Sequence, residues 1–206
     1  MMAMVMVNIV LSRESGERIA LVLNEEPSIK NPQNPIKQVK NGDIEFKNVN
    51  FSYSNNPEIL NLENINLKIN SGQTIGIIGG TGSSKSALVQ LIPRLYDVIS
   101  GEVLVSGKDV RNYDIKTLRD NVAMVLQKNV LFSGTIKENL RWGNKNSTDS
   151  QIEHVCKLAQ ADEFIQKFPD KYDTYIERGG TNVSGGQRQR LCIARALLKN
   201  PKILIL

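Results

Sequence analysis

The chain alternates apolar and polar residues in some stretches and groups apolar residues into short runs in others. Residues 44–51 and 65–69 alternate with a period of two, which predicts strands with one exposed face. Residues 74–78 and 121–127 are apolar runs with β-branched side chains, which are typical of buried strands, and residues 102–105 predict a further strand. An antiparallel β layer is therefore expected ahead of an α/β core.

Helical periodicity separates these strands. Apolar residues within 87–95 recur at helical spacing behind a glycine-rich turn. From residue 135 to residue 175 the pattern is helical and polar, with Thr148 as an N-cap, which predicts a helical insertion. Residues 187–199 form the strongest helical stretch, and residues 203–206 start a buried strand after its stop signals. The alternation of strands and helices indicates an α/β fold.

The first 23 residues have a different character. Residues 1–11 are apolar except for Asn8, and as a helix they would span about 16 Å, half of the hydrocarbon thickness of a bilayer. Residues 12–23 continue as an amphipathic helix. We interpret residues 1–23 as the end of a membrane helix and its extension; a frayed soluble helix is the alternative. A signal peptide is not expected, because a basic start and a small-residue cleavage site are missing.

A linker is predicted between this helix and the globular part. Residues 24–42 contain Pro27, Pro32 and Pro35, separated by polar residues with almost no apolar periodicity. Such a composition is typical of linkers. The globular domain is therefore expected to comprise residues 43–206.

Composition sets bounds on the partners of the chain. Of its 206 residues, 40% are hydrophobic and 23% are charged, which is ordinary for a globular protein with a sizeable core. Lys and Arg number 26 against 21 Asp and Glu, without a long basic block, so that a nucleic-acid-binding patch is not expected. A polyanionic small ligand such as a nucleotide suits this mild positive charge.

Cysteine and histidine usage argues against two kinds of site. Cys156 and Cys192 lie far apart in helical surroundings, which fits a reducing compartment better than a disulfide framework. The lone His154 has no neighbours that resemble a metal-binding set. It is expected on the surface of a helix.

The clearest chemistry lies in residues 79–86, Gly-Gly-Thr-Gly-Ser-Ser-Lys-Ser, which we call the phosphate loop. Glycines let a backbone wrap closely around phosphates and direct its N–H groups at them, and a helix N-terminus adds its positive dipole end. Lys85 would reach the β- and γ-phosphates of a nucleotide, and the Ser86 hydroxyl would ligate Mg²⁺.

One position of the phosphate loop departs from the common pattern, which places Gly before the Lys where this chain has Ser84. A positive φ at this position would cost about 1–2 kcal/mol for a residue other than glycine. The alternative interpretation is an ordinary strand-to-helix turn whose glycines serve only the bend.

Several ordered motifs resemble those of one family, the exporter-type nucleotide-binding domain of ATP-binding cassette (ABC) transporters. They are Tyr53, the phosphate loop, Gln127 and residues 132–139 and 183–187. A phosphate loop alone indicates only a large superfamily, but the later Ser-Gly-Gly-Gln that opens a helix makes the combination highly specific. The resemblance covers essentially the whole chain and is to multidrug and lipid exporters. It implies an α/β fold: a P-loop NTPase core with an antiparallel β subdomain and a helical signature subdomain.

The resemblance implies roles for individual residues. Tyr53 would stack on adenine, and an aromatic residue that packs on the core is the alternative. Gln127 would reach Mg²⁺ and the attacking water and touch the coupling helix of the membrane domain, and a polar strand end is the alternative. Residues 184–187, which we call the signature loop, would close over the γ-phosphate of ATP on a facing domain. The nucleotide-binding set implied is Tyr53, Gly79, Gly80, Thr81, Gly82, Ser83, Ser84, Lys85, Ser86, Ala87, Gln127, Ser184, Gly185, Gly186 and Gln187, with Lys85 and Gln127 as catalytic residues and Ser86 and Gln127 as Mg²⁺ ligands.

The resemblance also implies an assembly. Two cassettes, identical or different, would pair head to tail around ATP and Mg²⁺, and each would contact the transmembrane domain of the same transporter at the cytoplasmic face of the cell membrane. Residues 1–23 would then end its last transmembrane helix. Residues 203–206 would start the Walker B strand that carries the Mg²⁺-binding Asp and the catalytic carboxylate. The chain is therefore expected to be truncated before the end of that motif and to be inactive alone as an ATPase.

Departures from the family pattern keep other functions open. Val183 replaces the commoner Leu, Ser84 replaces the usual Gly, and residues 177–179 resemble the acidic exporter segment one residue out of register. One alternative is a catalytically degenerate ATP-binding regulatory cassette of a heteromeric transporter, and another is a soluble ABC ATPase. A GTPase is not expected, because residues 144–147 lack the Asp of the guanine-recognising Asn-Lys-x-Asp sequence.

Overall fold

The computed structural model describes the backbone of residues 2–206 and the side chains of residues 4–8 and 11–206. The chain divides into two units, one that extends to Lys30 and one from Asn31 to Leu206. The first unit contains a single helix, α1 (Met2–Leu23), whose described side chains are exposed. Within the described residues, no helix combines the length and the apolar content that a membrane crossing needs.

The second unit begins within the segment that the sequence predicts to be a linker. The N–H of Ile36 donates to the carbonyl of Asn112 at 2.8 Å, and the carbonyl of Ile36 accepts from the N–H of Asp114 at 3.0 Å. Val39 is buried in the core. The compact unit therefore includes residues 31–42, although the composition of this segment predicts that the domain starts at Asp43.

The antiparallel layer is a four-stranded sheet with the order β2–β1–β3–β4. Its strands are β1 (Ile44–Phe51), β2 (Leu62–Ile69), β3 (Ser100–Val105) and β4 (Lys108–Asp109). Ile44 of β1 lies opposite Ile69 of β2 on one side and Val105 of β3 on the other. The period of two holds on each side of a register shift between Phe46 and Val49, with Ile44 and Phe46 buried before it and Val49 and Phe51 buried after it.

A short parallel sheet carries the α/β part of the core. The second unit also contains α2 (Lys85–Leu91), α3 (Ile115–Asn121), β5 (Val122–Met124) and β8 (Ile203–Ile205). β5 and β8 pair in parallel with Val122 opposite Ile203. Leu91 of α2 and Leu118 of α3 are fully buried in the same core cluster as Val122, Ile203 and the inner face of the antiparallel layer.

The buried strand predicted at residues 74–78 is wrong for this structure. Ile75, Ile77 and Ile78 are 47%, 41% and 98% exposed, and no strand in the described part of the chain pairs with this segment. An apolar, β-branched run indicates that a segment is suited to the interior of a sheet. Burial itself requires neighbouring strands, which a local pattern does not supply.

The helical insertion predicted at residues 135–175 and the helix predicted at residues 187–199 together form a second core. It contains α4 (Ile136–Arg141), α5 (Asp149–Leu158), α6 (Asp162–Ile165) and α7 (Gly185–Leu198), with a small antiparallel pair of β6 (Gly134–Thr135) and β7 (Tyr175–Ile176). Ile136, Ile152 and Leu191 are fully buried in this cluster. Thr148 caps α5 as predicted, because its hydroxyl accepts from the N–H of Gln151.

Candidate nucleotide-binding site

The phosphate loop turns into α2 through two residues with positive φ. The φ angle is 83° at Gly82 and 56° at Ser84. Ser84 is the N-cap of α2 in the left-handed conformation, with ψ of 21°. This chain therefore places serine where glycine is favoured, at a cost of about 1–2 kcal/mol.

Lys85 folds back over the phosphate loop. Its Nζ donates to the carbonyl oxygens of Gly79 at 2.7 Å and Gly80 at 2.8 Å, and to Ser83 Oγ at 3.1 Å. All three partners are neutral, and within the described residues no carboxylate pairs with Lys85. The positive charge of Lys85 is therefore not neutralised inside the loop.

The backbone of the loop is closely wound and largely open to solvent. A Cβ on Gly79 would lie 2.6 Å from Ser83 Oγ, so that only glycine fits the turn without a shift. Thr81, Gly82 and Ser83 are exposed. Ala87 packs its methyl group into the core, which leaves only its backbone available to a ligand. The first N–H groups of a helix lack partners within the helix, and those of α2 follow directly from this loop.

Tyr53 lies two residues after the end of β1 and contacts α2. Its hydroxyl donates to Oε1 of Gln90 at 3.1 Å. Its ring is nearly perpendicular to the rings of Phe51, at 4.9 Å, and Tyr96, at 5.1 Å, and its side chain remains 49% exposed. Burial, and then the neighbouring Tyr96, raise the pKa of Tyr53 above its usual value. The structure thus joins Tyr53 to the helix that begins at the phosphate loop.

The two partners of Tyr53 at this candidate site, Gln90 and Tyr96, were not named from the sequence. Gln90 lies four residues after Ser86, which places both on one face of α2, and Tyr96 follows this helix. Helical spacing from Ser86 is a signal that could have indicated Gln90. The contact of Tyr96 with Tyr53 joins the end of β1 to the segment after α2, and no local pattern predicts it.

Gln127 is exposed and lies three residues after β5. The strand is shorter than the predicted residues 121–127, since it ends at Met124. Leu126 and Lys128, the neighbours of Gln127, line a groove of about 340 Å³, which we call the α7 groove. The residues that line it are Val122, Ala123, Met124, Val125, Leu126, Lys128, Asn129, Val130, Phe132, Trp142, Gly143, Cys192, Arg195, Ala196 and Lys199. This lining is apolar with three cations and has no carboxylate.

Arg195 is the most buried cation of the α7 groove. Its guanidinium donates to the carbonyl of Asn139 at 2.9 Å and to the carbonyl of Val130 at 3.1 Å, and it lies 5.7 Å from the centre of the Phe132 ring. Burial lowers the pKa of Arg195. Asn129 Oδ1 is buried in the same lining without a hydrogen-bond partner among the described residues.

The signature loop opens α7 with a reciprocal cap. Ser184 Oγ accepts from the N–H of Gln187 at 3.2 Å, and Gln187 Oε1 accepts from the N–H of Ser184 at 2.8 Å. Gly185 and Gly186 are exposed, with no atom within 4 Å of a Cβ built on either. Val183 is buried in the second core, so that the replacement of the commoner Leu keeps an apolar contact.

Comparisons with known proteins decide the family. Residues 62–206 match the ABC transporter family. This chain belongs to that family. It is 47% identical over 165 residues to a putative multidrug export ATP-binding/permease protein of Bacillus subtilis (strain 168), with 80% of this chain and 28% of that protein covered. It is 45% identical over 165 residues to ABC transporter B family member 3 of Dictyostelium discoideum, with 80% of this chain and 12% of that protein covered.

A solved structure of a bacterial Atm1-family ABC exporter with ATP bound resembles this ABC domain with a TM-score of 0.84 and 31% identity, over 92% of this chain and 33% of that chain. The chain thus spans about a third or less of the length of these relatives. The predicted fold class, a P-loop NTPase core with an antiparallel β subdomain and a helical subdomain, is confirmed. The resemblance to an exporter-type nucleotide-binding domain is confirmed as well.

This ABC domain holds its two loops on different cores. The phosphate loop precedes α2, which packs on the first core, whereas the signature loop opens α7 on the second. Within the described residues, no hydrogen bond or ion pair joins the two loops. The described residues also hold no cluster of three His, Cys, Asp or Glu that suits a metal ion, and His154 is exposed on α5. Cys156 is a buried free thiol and Cys192 a half-buried one.

Proposed function

We propose that this chain is the ATP-binding domain of an ABC exporter, in which ATP with Mg²⁺ binds at the phosphate loop. The observation that supports this most is the position of Lys85, whose Nζ lies 2.7 Å from the carbonyl of Gly79 and 2.8 Å from that of Gly80. A phosphate group would replace neutral partners of the ammonium and would not have to break an ion pair. The ammonium already makes charge-assisted hydrogen bonds to these neutral oxygens, and a phosphate would add the attraction between opposite charges, so the exchange favours binding.

Two residues would supply oxygen ligands to Mg²⁺ in this proposal. The Ser86 hydroxyl and the Gln127 side-chain carbonyl are hard oxygen donors of the kind that Mg²⁺ prefers. The bound ion would neutralise charge on the β- and γ-phosphate oxygens. Lys85 would stabilise the same charge as it develops in the transition state, and Gln127, whose side chain is exposed, would orient the attacking water through its amide.

The proposed partner across the nucleotide is a second nucleotide-binding domain, identical or different, arranged head to tail. The phosphate loop and the signature loop are both helix starts with exposed glycines, and both are suited to an anion. They lie on separate cores without a hydrogen bond between them among the described residues. A facing domain would bring the signature loop of one chain to the phosphate loop of the other.

The proposed partner at the α7 groove is the transmembrane domain of the same transporter, at the cytoplasmic face of the cell membrane. The groove is apolar, adjoins Gln127, and has cations without carboxylates in its lining, so that an apolar segment with an acidic side chain would be complementary. The unpartnered Asn129 Oδ1 would accept a hydrogen bond from such a segment. We further propose that residues 1–23 end the last transmembrane helix and that residues 24–30 connect it. The nucleotide-binding domain would then comprise the predicted residues 43–206 together with residues 31–42, which dock on them.

The alternative functions have less support. The replacement of glycine by Ser84 suggested a degenerate cassette, but Ser84 adopts the left-handed conformation that glycine would adopt there. The relatives named above include a putative multidrug export protein and an exporter, which favours a membrane transporter over a soluble ABC ATPase. The transport of substrate out of the cell, driven by ATP hydrolysis, is therefore our proposal for the whole protein.

Titration of a fluorescent ATP analogue with Mg²⁺ against the full chain and its Lys85→Ala variant tests the binding site. We expect the variant to lose at least about tenfold in affinity, because it removes charge-assisted hydrogen bonds to the phosphates. Lys68→Ala is a matched control, since Lys68 is an exposed lysine on β2. Equal affinities for Lys85→Ala and the unchanged chain would refute the assignment.

A further inference from the structure

Tyr53 is fixed by contacts on its backbone, its ring and its hydroxyl. Its N–H donates to Asn61 Oδ1 at 2.9 Å. Its ring stands at 79° to Phe51 and at 84° to Tyr96, and Phe51 and Tyr96 contact each other with centroids 5.6 Å apart. Its hydroxyl donates to Gln90 Oε1 at 3.1 Å. The side chain is therefore held in one orientation while about half of it, 49%, stays open to solvent.

The acceptor of the Tyr53 hydroxyl belongs to the helix that starts at the phosphate loop. Gln90 is a residue of α2. It lies on the same face of the helix as Ser86, which precedes it by one turn. α2 is anchored by Ala87 and Leu91, which are 1% and 0% exposed in the first core. A hydrogen bond from Tyr53 to this helix therefore ties the position of the aromatic ring to that of the phosphate loop.

We propose that Gln90 and Tyr96 are positioning residues for the nucleobase, which hold the ring of Tyr53 at a set distance from the phosphate loop. This inference rests on the proposed binding of ATP at the phosphate loop and on the stacking of Tyr53 on adenine that the family resemblance implies. The two residues select a ligand that carries both a base and a polyphosphate, because only such a ligand spans the distance they set. A triphosphate without a base would not depend on them.

The physical reason is that stacking requires the ring to be held in one plane before the base arrives. An exposed tyrosine without these contacts would lose rotamer freedom on binding, and this loss would reduce the affinity. The perpendicular rings of Phe51 and Tyr96 restrict the ring, and the bond to Gln90 restricts its tip. Preorganisation of this kind increases affinity without a contact between Gln90 and the nucleotide.

The test compares two ligands, ATP and inorganic tripolyphosphate, each with Mg²⁺, by calorimetric titration of the full chain and its variants. Gln90→Leu removes the acceptor, and Tyr53→Phe removes the donor but keeps the ring. We expect each variant to lower the affinity for ATP by about threefold to tenfold, the effect of one hydrogen bond. The double variant should lose no more than either single variant, because both remove the same bond. The affinity for tripolyphosphate should stay the same in all of them.

Tyr96 is tested with a matched pair of variants. Tyr96→Ala removes the ring and should weaken ATP binding while tripolyphosphate binding is unchanged. Tyr96→Phe keeps the ring and should leave both affinities unchanged. An unchanged affinity for tripolyphosphate also shows that the loop of a variant is folded. If Gln90→Leu does not fold, Tyr53→Phe carries the same test, since it deletes one oxygen from a half-exposed side chain.

Two results would overturn the inference while the proposed function stands. In the first, the Tyr53→Ala variant binds ATP weakly, whereas the Gln90→Leu and Tyr53→Phe variants bind ATP with unchanged affinity. The other is a Gln90→Leu variant that weakens ATP and tripolyphosphate equally, which would place the effect in the loop itself. If Lys85→Ala and Tyr53→Ala both leave ATP affinity unchanged, the nucleotide site is elsewhere, and both the proposed function and this inference fail.

Discussion

Gly42 lies directly against the carbonyl oxygen of Lys202, although 160 positions separate them in the sequence. A Cβ on Gly42 would stand 2.6 Å from that oxygen, which is closer than real Cβ atoms approach a backbone atom. The end of the segment predicted as a linker thus meets the residue that precedes β8. This contact is one reason why the compact unit starts before β1.

Gly42→Ala should therefore destabilise the chain. Its methyl group would collide with backbone at Lys202, and overpacking of this kind costs about 1–3 kcal/mol. Urea denaturation measures the unfolding free energy. Gly76→Ala is the matched control, because no atom lies within 4 Å of its Cβ, and it should change stability by less than about 0.5 kcal/mol. Equal stabilities of the two variants would contradict the prediction.

Ser84→Gly should stabilise the chain by about 0.5–1 kcal/mol. The left-handed conformation costs serine about 1–2 kcal/mol, and glycine loses about 0.5–1 kcal/mol of this gain through its greater freedom in the unfolded state. Ser86→Gly is the control, since Ser86 lies within α2, and glycine there should destabilise by about 0.5 kcal/mol. Thermal and urea unfolding should move the two variants in opposite directions, and a shift of both in one direction would disprove the role of Ser84.

Alkaline pH should weaken the fold through Cys156. Burial in the second core raises the pKa of this thiol from its usual 9.0 to about 12. The unfolded chain therefore releases the proton near pH 9 and the folded chain only near pH 12, so stability is complete below pH 9 and is lost as the pH rises between these values. The slope contributed by one thiol is at most about 1.4 kcal/mol per pH unit.

The variant Cys156→Ala isolates this effect. It should be less stable at pH 7, because it leaves a small cavity, by about 1 kcal/mol. Between pH 9 and pH 11 its unfolding free energy should fall less steeply than that of the unchanged chain, while Cys192 titrates in both. Parallel pH profiles in urea denaturation would show that Cys156 does not contribute.

The head-to-tail arrangement predicts a disulfide crosslink between two cassettes in the intact transporter. Cysteines introduced by Ser83→Cys and Gly185→Cys would lie on the phosphate loop of one cassette and the signature loop of the other. With Cys156 and Cys192 replaced by alanine, we expect crosslinks between cassettes when ATP and Mg²⁺ are present and few without them. Either single cysteine variant is the control, and crosslinks confined to one chain would refute the arrangement.

Much of the local structure follows from the sequence alone. The alternation of β1, the cap of Thr148 on α5 and the helix that begins at the signature loop were predicted from neighbouring residues and are present. These features depend on interactions within a few positions, such as a hydroxyl that accepts from an N–H three residues later. The chemistry of the phosphate loop is a prediction of the same local kind, since its glycines, Lys85 and Ser86 are contiguous.

Tertiary structure decided the features that depend on distant residues. The exposure of residues 74–78 depends on which strands lie beside them, and the docking of residues 31–42 depends on backbone groups near Asn112 and Lys202. The orientation of Tyr53 requires Gln90 and Tyr96, which a pattern at the end of β1 does not contain. Periodicity indicates which face of a segment is apolar. It does not indicate which distant element covers that face or which distant residue holds a side chain in place, because these contacts form only when the chain folds.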